Sequence, residues 1–303
     1  MQQVGAHNCM LIGSPGTGKT MLAQRLSTIL PDLTYEEALE ITKIHSISGK
    51  VREGEGIVSK RPFRNPHYTS SPVSIIGGGK FPRPGEITLA HLGVLFLDEL
   101  PEFKRATIEA LRAPIEDRKV TISRVMEKLT YPCNFMLIAS MNPCPCGFLG
   151  SSKHECICSE KTIKNYMGKI SGPILDRIDL HVEVGEIEYK ELDSKLKVES
   201  SAIIKKRVNN ARSIQRERYK NLKLYSNSEL NNTLVEKYCV VNKEGKKLLK
   251  IAFDNLNLSA RAYNKILKIS RTIADLEESE NINEMHISEA IQYRILDRKY
   301  WNK

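Results

Sequence analysis

The chain has 303 residues, a net charge of +10 and 41% hydrophobic residues, which suits two globular domains with a basic surface. No apolar run approaches the roughly 18 residues that cross a membrane. The start of the chain lacks the basic residues and the long apolar stretch of a signal peptide. Without such a signal, the seven cysteines favour free thiols in a reducing compartment. We therefore expect a cytoplasmic protein with no membrane contact.

The first predicted elements are a short strand at residues 9–12, a glycine-rich loop and a helix from residue 21. The loop residues are Gly13, Ser14, Pro15, Gly16, Thr17, Gly18, Lys19 and Thr20, which fit the phosphate-binding pattern G-x-x-x-x-G-K-[ST]. The glycines let successive backbone N–H groups surround a phosphate, and the helix directs its positive dipole end at the anion. We expect Lys19 to reach the β- and γ-phosphates and the Thr20 hydroxyl to bind Mg²⁺. The alternative is a glycine-rich turn that matches the pattern by chance.

An apolar stretch that ends in two acids, Asp98 and Glu99, follows about eighty residues later in the chain. A continuous apolar run is typical of a parallel strand buried on both faces, and such a strand delivers its last residues to the sheet edge where ligands bind. We predict that Asp98 holds the water shell of Mg²⁺ and that Glu99 polarises the attacking water in an NTPase site. The alternative is a strand that ends in surface acids.

The remaining pattern predicts a mostly parallel sheet flanked by helices and then a region of helices alone. Residues 104–116 read as a helix, 120–131 as a β-hairpin, 135–140 and 180–184 as buried strands, and 260–277 and 287–298 as helices. Strand signals fade after about residue 187. We therefore expect an α/β domain at residues 1–186 and an all-helical lid domain at residues 187–303.

Positive charge concentrates in residues 195–223, which read as one helix. This segment holds ten lysines and arginines, namely Lys195, Lys197, Lys205, Lys206, Arg207, Arg212, Arg216, Arg218, Lys220 and Lys223. It holds only two acids, Glu199 and Glu217. A basic helix can be a footprint for nucleic acid, and it can equally be a solvated helix face.

Several further stretches resemble the magnesium-chelatase-like AAA+ ATPases of the YifB/ComM type. They are residues 61–68, 76–79, 82–86, 90–100, 141–147, 171–179 and 258–263, and the resemblance extends over residues 5–300. It implies an AAA+ P-loop NTPase fold, ATP and Mg²⁺ as ligands, and a homo-oligomeric ring that we expect to be a hexamer. The expected nucleotide-binding residues are Gly13, Pro15, Gly16, Thr17, Gly18, Lys19, Thr20 and Asp98.

The resemblance also implies roles for three residues beyond these motifs. Asn142 is similar to the sensor-1 residue that orients water against the γ-phosphate, and an amide suits this task because it donates and accepts at once. Arg177 resembles the arginine finger that reaches the γ-phosphate of a neighbouring subunit. Arg261 resembles the sensor-2 residue on the first turn of a lid helix. The alternatives are a turn-opening role for Asn142 and, for Arg177, an ion pair in its own chain with Asp176 or Asp179.

The hairpin at residues 120–131 resembles an insertion that, in related rings, projects into the central pore. Arg124 and Lys128 flank its tip, where a phosphate backbone could be gripped.

Four cysteines lie within fifteen residues, as the pairs Cys144 and Cys146, and Cys156 and Cys158. Four thiolates can form a tetrahedral Zn²⁺ site, which would fix a loop behind the sensor-1 strand. The C-x-C spacing is less typical of zinc than C-x-x-C. Free loop thiols in a reducing cytoplasm are the alternative.

From the family pattern we expect this chain to lack the amino-terminal Lon-protease-like domain and the helical segment that normally precedes the first strand. We therefore expect one side of the adenine pocket to be open and ATP binding and turnover to be weakened. The first functional hypothesis is an ATP-driven ring motor acting on DNA, of a helicase or branch-migration type related to competence or recombination. The alternatives are a protein-remodelling or chelatase-type ATPase, and a remnant with impaired ATPase activity.

Overall fold

The computed structural model describes residues 2–51, 54, 56–79, 83–123, 128–186, 199–222, 224–256 and 258–301. Its main sheet has five parallel strands in the order β2-β5-β8-β1-β9. These strands are β1 Cys9–Ile12, β2 Phe63–Arg64, β5 Val94–Leu97, β8 Met136–Met141 and β9 Leu180–Glu183. Two antiparallel pairs accompany the sheet, β3 Gly77–Gly78 with β4 Arg83–Pro84, and β6 Lys119–Ser123 with β7 Lys128–Pro132. The predicted parallel α/β fold is confirmed, with the edge strand β2 as an element that the sequence pattern did not reveal.

Both faces of the three inner strands, β1, β5 and β8, are buried, which explains why these strands are apolar without alternation. In β1, Cys9 and Leu11 pack against the helices of the carboxyl-terminal region. Met10 and Ile12 face the opposite way, into a second core formed mostly by residues that precede 187 and completed by Tyr300 of the last helix. Successive side chains of a strand point to opposite faces, so a strand between two helical layers needs apolar residues at every position.

Helices of the first part of the chain surround the sheet and connect its strands. They are Gln2–Gly5, Lys19–Leu26, Tyr35–Ile47, Pro72–Ile76, Glu86–Leu89, Arg105–Ala110, Arg112–Asp117, Glu160–Met167 and Gly172–Leu175. The predicted single helix at 104–116 was wrong, because two helices meet at Leu111. Pro114 is the physical reason, since its ring clashes with the carbonyl four residues earlier and is tolerated only in the first turn of a new helix.

The helices of the last part are Ser201–Tyr219, Asn232–Tyr238, Lys243–Asn255, Ala260–Leu276 and Glu284–Tyr300. The last of these packs directly on β9, where the Tyr300 hydroxyl donates to Glu183 at 3.0 Å. Arg294 donates to the Ile178 carbonyl at 2.7 Å, which fixes the same helix to the segment before β9. Within the described residues, no helix combines the length and the apolar character needed to cross a bilayer.

Candidate nucleotide-binding site

The glycine-rich loop connects the carboxyl end of β1 to the helix Lys19–Leu26, as predicted. Gly16 and Gly18 have φ values of 78° and 83°, a left-handed conformation that favours glycine. At Gly13 the requirement is space, because an added Cβ would lie 2.4 Å from the carbonyl oxygen of Val184. Thr17 closes the loop by donating from its hydroxyl to the Ser14 carbonyl at 2.9 Å. The backbone therefore forms a narrow cradle at the amino end of a helix, the arrangement that binds phosphate.

Lys19 lies half-buried inside this cradle. Its ammonium donates to the carbonyls of Gly13 and Ser14 at 2.8 and 2.9 Å, and to the side-chain oxygen of Asn142 at 3.1 Å. Burial lowers the pKa of Lys19, while the negative charges of Asp98 and Glu99 oppose that shift. The loop and the end of β8 are thus joined through one cation.

Asp98 follows β5 and lies beside the first turn of the loop helix. The Thr20 hydroxyl donates to its carboxylate at 2.7 Å. Two oxygens bound to one Mg²⁺ at right angles are about 3 Å apart, given Mg–O distances of about 2.1 Å. The Thr20 and Asp98 oxygens are therefore close enough to serve one ion, and hard oxygen donors of this kind suit it.

Ser140 is a site residue that the sequence analysis missed. It is wholly buried on β8. Its hydroxyl donates to the second carboxylate oxygen of Asp98 and accepts from the backbone N–H of Glu99 at 3.1 Å. A signal was present in the sequence, since Ser140 is the one hydroxyl residue in a strand that otherwise reads Met-Leu-Ile-Ala-Met. A buried polar residue in such a run needs a hydrogen-bond partner, and here the partner is Asp98, at the end of the neighbouring strand β5.

Glu99 and Asn142 occupy neighbouring strand ends at the same sheet edge. Glu99 is exposed and has φ 53° and ψ 50°, a conformation that non-glycine residues rarely adopt and that is frequent at functional sites. Asn142 directly follows β8, which pairs in parallel with both β5 and β1. The structure therefore brings Lys19, Thr20, Asp98 and Asn142 together, with Glu99 beside them.

Arg177 and Arg261 lie at the amino-terminal ends of the strands, opposite to the end that carries the glycine-rich loop. Both line a cleft of about 470 Å³ together with Asn8 and Asp179, which precede the strands β1 and β9. The glycine-rich loop follows β1, so the two arginines are separated from their own loop by the length of that strand. Arg261 is on the first turn of the helix Ala260–Leu276, where its side chain is 71% exposed and 3.8 Å from Asp176.

The guanidinium of Arg177 is held by three partners within its own chain. It donates to the carbonyls of Arg112 and Pro173 at 3.0 and 2.7 Å, and it forms an ion pair with Glu116. The alternative of a pair with Asp176 or Asp179 was therefore wrong in its partner, because Arg177 turns toward the helix Arg112–Asp117. Asp176 pairs with Arg261, and Asp179 pairs with Lys265 at 3.1 Å.

Asn8 connects the segment of Arg177 to two strands. Its side-chain amide donates to the Arg177 carbonyl at 2.8 Å, and its backbone N–H donates to the carboxylate of Asp179 at 3.1 Å. The side-chain oxygen accepts from the backbone N–H of Leu137, in β8, at 2.9 Å. One side chain thus fixes the amino ends of β1 and β9 to the middle strand of the sheet.

The four loop cysteines converge on one point after β8. Their sulfur atoms all lie within 4.8 Å of one another, so the group could hold a metal ion. Cys144 is fully buried, while Cys146, Cys156 and Cys158 are partly exposed. The backbone N–H of Phe148 lowers the pKa of Cys146 to about 6.

Part of the positive charge of the basic segment is used in contacts within the protein. The helix covers Ser201–Tyr219, and Lys195, Lys197 and Lys223 lie outside the described residues. Arg212 is buried and donates to the Val4 carbonyl at 3.2 Å. Arg218 binds the buried carboxylate of Asp275 at 2.6 Å, and Lys205 binds Asp32 at 2.6 Å. Arg212 and Arg218 thus serve contacts inside the protein, whereas Lys206, Arg207, Arg216 and Lys220 are exposed.

The predicted hairpin is present as the pair β6 and β7, with Thr121 opposite Thr130. Lys128 begins β7 and is exposed. Arg124 lies outside the described residues.

The strand order, the phosphate-type loop and the helical region that packs on the sheet define an AAA+ protein. Two family profiles cover nearly the whole chain, “Magnesium chelatase, subunit ChlI” at residues 1–192 and “Magnesium chelatase, subunit ChlI C-terminal” at residues 198–294. The chain belongs to this magnesium-chelatase-like AAA+ family, in which it is of the YifB/ComM type.

Individual relatives agree with this assignment. The chain is 46% identical over 295 residues to the uncharacterized protein YifB of Salmonella typhimurium, and 42% identical over 295 residues to the competence protein ComM of Haemophilus influenzae. In both cases 97% of this chain aligns, and it spans 57% of the length of the relative. A more distant relative is the chloroplastic magnesium-chelatase subunit ChlI of rice, with 22% identity over 208 residues, which are 62% of this chain and 45% of the relative.

Proposed function

We propose that this protein binds ATP with Mg²⁺ and hydrolyses it as one subunit of a ring. The observation that carries the proposal is the convergence of Lys19, Thr20, Asp98 and Asn142 at one sheet edge, directly beside the glycine cradle. These side chains come from three separate motifs, and together they supply the cation, the metal ligands and the polar amide that phosphoryl transfer requires. A cytoplasmic location fits this function, since ATP is available there.

In this proposal the phosphates lie against the loop backbone from Gly13 to Gly18, with Lys19 facing the β- and γ-phosphates. Thr20 would bind Mg²⁺ and Asp98 would hold its water shell, and the ion would supply positive charge to neutralise the phosphates. Glu99 orients and polarises the attacking water, and Asn142 positions that water against the γ-phosphate. Lys19 already donates to Asn142, so both groups are preorganised for one phosphate.

We further propose that Arg177 and Arg261 act on the nucleotide of the neighbouring subunit. Both side chains lie at the sheet edge opposite to their own loop. A head-to-tail ring, expected as a hexamer, would place that edge against the loop of the next subunit. Arg177 then has to leave Glu116 for the γ-phosphate, where a guanidinium stabilises the developing charge. Residues 1–186 form the AAA+ domain and residues 187–303 the lid that carries Arg261.

We propose DNA as the substrate of the motor, because the chain is strongly basic and a relative is named for competence. The exposed residues Lys206 and Arg207 and the β6–β7 hairpin are the candidate contacts. The rival function is that of a protein-remodelling or chelatase-type ATPase that does not act on DNA. The magnesium-chelatase relatives favour it. The internal contacts of Arg212 and Arg218 and the surface ion pair of Lys205 with Asp32 also favour this rival, since they leave less positive charge free for DNA.

The ATP hydrolysis rate, measured with and without single-stranded and branched DNA, tests both parts of the proposal. A basal rate that requires Mg²⁺ and increases with DNA supports the motor. A rate that DNA does not change would leave the ATPase and remove DNA as its substrate. Absence of hydrolysis in an assembled ring would overturn the proposed function.

A further inference from the structure

We propose that Cys144, Cys146, Cys156 and Cys158 bind a structural Zn²⁺ that holds their loop against the phosphate-binding loop. Zinc occupancy would then set the affinity of the neighbouring nucleotide site. The zinc site stands on its own geometry, and the effect on affinity rests on the proposed ATP binding.

The sulfur positions match a tetrahedral site. With Zn–S bonds of about 2.3 Å, tetrahedral geometry places the sulfur atoms about 3.8 Å apart. The Sγ atom of Cys144 is 3.3 Å from that of Cys146 and 3.6 Å from that of Cys156, and Cys146 and Cys156 are also 3.6 Å apart. All four sulfur atoms are within 4.8 Å of one another. Four sulfur donors and no open position are typical of a structural zinc site, whereas catalytic sites keep a position for water.

The other three cysteines are in a different situation. Cys9, Cys133 and Cys239 are buried apart from this cluster, and burial raises the pKa of each to about 12. They are therefore protonated packing residues at neutral pH. The thiols that can act as ligands are, among the described residues, the ones that converge.

The cysteine loop contacts the phosphate-binding loop at one point with no spare room. Gly147 follows the ligand Cys146 and has a φ of 87°. A Cβ at Gly147 would lie 2.5 Å from Cδ and 2.6 Å from Cγ of Pro15. The Gly147 backbone therefore packs directly on the Pro15 ring, and any movement of the cysteine loop is transmitted to the cradle.

A second connection runs through Glu186. The hydroxyl of Ser151, on the same loop, donates to the Glu186 carboxylate at 2.6 Å. Glu186 and Ser151 line a small cleft with Gly13 and Ser14 of the phosphate-binding loop. Cys144 itself lies two residues after Asn142. A metal at the four sulfurs would consequently stabilise both sides of the phosphate site without touching the nucleotide.

The metal content of the purified 303-residue chain tests the zinc site directly. We expect inductively coupled plasma mass spectrometry to find about one zinc per chain. The Cys156→Ser/Cys158→Ser variant should lose this zinc. The control Cys239→Ala should keep its zinc. Cobalt exchanged into the wild-type protein should give the intense visible absorption of tetrahedral thiolate ligation, which needs no variant to fold. Absence of bound metal, or iron with sulfide in place of zinc, would overturn the proposal.

The connection to the nucleotide is tested with two glycine variants on the same loop. Gly147 and Gly150 have similar φ values of 87° and 81°, but a Cβ at Gly150 meets no atom within 4 Å. Gly147→Ala should keep its zinc and weaken ATP binding by about tenfold, or about 1.4 kcal/mol, because the packed Pro15 ring has to move. Gly150→Ala carries the same backbone strain and should stay within about twofold of wild type.

Equal ATP affinities for these two variants would overturn the connection between the loops. If the wild-type protein itself binds no ATP, the proposed function fails, while zinc content and the cobalt spectrum still decide the metal site.

Discussion

Ser140 lies beneath the carboxylate of Asp98 and donates a hydrogen bond to it from a fully buried position. The same hydroxyl accepts from the backbone N–H of Glu99. One side chain of β8 therefore fixes both acids at the end of β5, including the left-handed backbone of Glu99. In the proposed mechanism Ser140 is a positioning residue, because it reaches magnesium and water only through these acids.

Ser140→Ala should raise the Mg²⁺ concentration needed for half-maximal hydrolysis and lower the maximal rate, each by about tenfold. A hydrogen bond to a charged group contributes roughly 1.5–3 kcal/mol, and the carboxylate loses its orientation when that bond is removed. A magnesium titration of ATP hydrolysis measures this change. Ser270→Ala is the control, because Ser270 is also fully buried but lies within the lid helix Ala260–Leu276. An unchanged magnesium dependence would limit Ser140 to packing.

Lys19→Ala and Glu99→Gln should separate binding from hydrolysis. Lys19→Ala removes the cation inside the cradle, so we expect no detectable ATP binding by calorimetry. Glu99→Gln leaves Thr20 and Asp98 in place, so binding should persist while turnover falls by at least about 100-fold. Full turnover by Glu99→Gln would show that another group polarises the water.

Arg177→Ala and Glu116→Gln distinguish a finger from a structural ion pair. If the pair with Glu116 only stabilises the fold, both variants should lose stability and activity together. We expect Arg177→Ala to abolish turnover, by about 1,000-fold or more, and Glu116→Gln to keep or increase it, because the guanidinium is released. Turnover and thermal unfolding of both variants provide the comparison.

Mixed rings test whether the arginines act between subunits. Subunits with Lys19→Ala and subunits with Arg177→Ala are each inactive in this proposal, and mixing them should restore part of the turnover. Restoration requires an interface that combines an intact loop with an intact arginine. The same mixture with Arg261→Ala should behave alike, since Arg261 lies in the same cleft. If rings shown to be mixed recover no turnover, both arginines act within their own chain.

Reversing charge on the helix Ser201–Tyr219 tests the DNA surface. Lys205, Lys206 and Arg207 changed to Glu should weaken DNA binding and make the salt slope shallower by about 2, since phosphate contacts release counterions and Lys205 is already paired with Asp32. The matched control changes Lys243, Lys246 and Lys247, exposed on another lid helix, to Glu. Fluorescence titrations over a range of salt concentrations give both slopes. Equal weakening by the two variants would indicate a net-charge effect only.

Burial of His7 predicts a loss of stability at mildly acidic pH. Burial lowers the pKa of His7 below its ordinary value of 6.5, although Asp179 opposes this shift. The unfolded chain therefore takes up a proton near pH 6.5 that the folded chain takes up only at lower pH. The free energy of unfolding should fall below pH 6.5 with a slope of up to about 1.4 kcal/mol per pH unit from this group.

Urea unfolding of the wild type and of His7→Asn, between pH 7.5 and 5.5, measures that slope. The variant should flatten it, with a remainder from His91, whose pKa burial also lowers. The exposed His67→Asn should leave it unchanged. A wild-type stability that stays constant over this range would contradict a neutral buried His7.

The sequence predicted those parts of the site whose chemistry lies in consecutive residues. The loop from Gly13 to Thr20 and the acids after β5 were located correctly because strand, turn and helix are all encoded locally there. The partner of Arg177 was not predicted correctly. Glu116 is 61 residues away, and only the tertiary packing selects it over the adjacent Asp176. Ser140 was missed for the same reason, because its function depends on which strand lies beside it.

The division of the helix at Leu111 had a local cause that the periodicity concealed. Apolar spacing continues through residues 104–116, but Pro114 prevents one continuous hydrogen-bond ladder. The short strand β2 has only two residues, too few for any pattern. The charge of the basic segment was visible, whereas the burial of Arg212 depends on contact with Val4 at the other end of the chain.

The contacts of Asn8 connect the amino end of β1 to the segment of Arg177, while its carboxyl end leads into the phosphate-binding loop. The strand is four residues long, or about 13 Å, with the phosphate-binding loop at its carboxyl end and Asn8, bonded to the Arg177 segment, at its amino end. In a ring whose arginines act between subunits, each β1 strand would connect two successive nucleotide sites, one at each end. A movement of the phosphate-binding loop at one end of β1 would then be carried through Asn8 to the segment of Arg177, which would couple successive nucleotide sites.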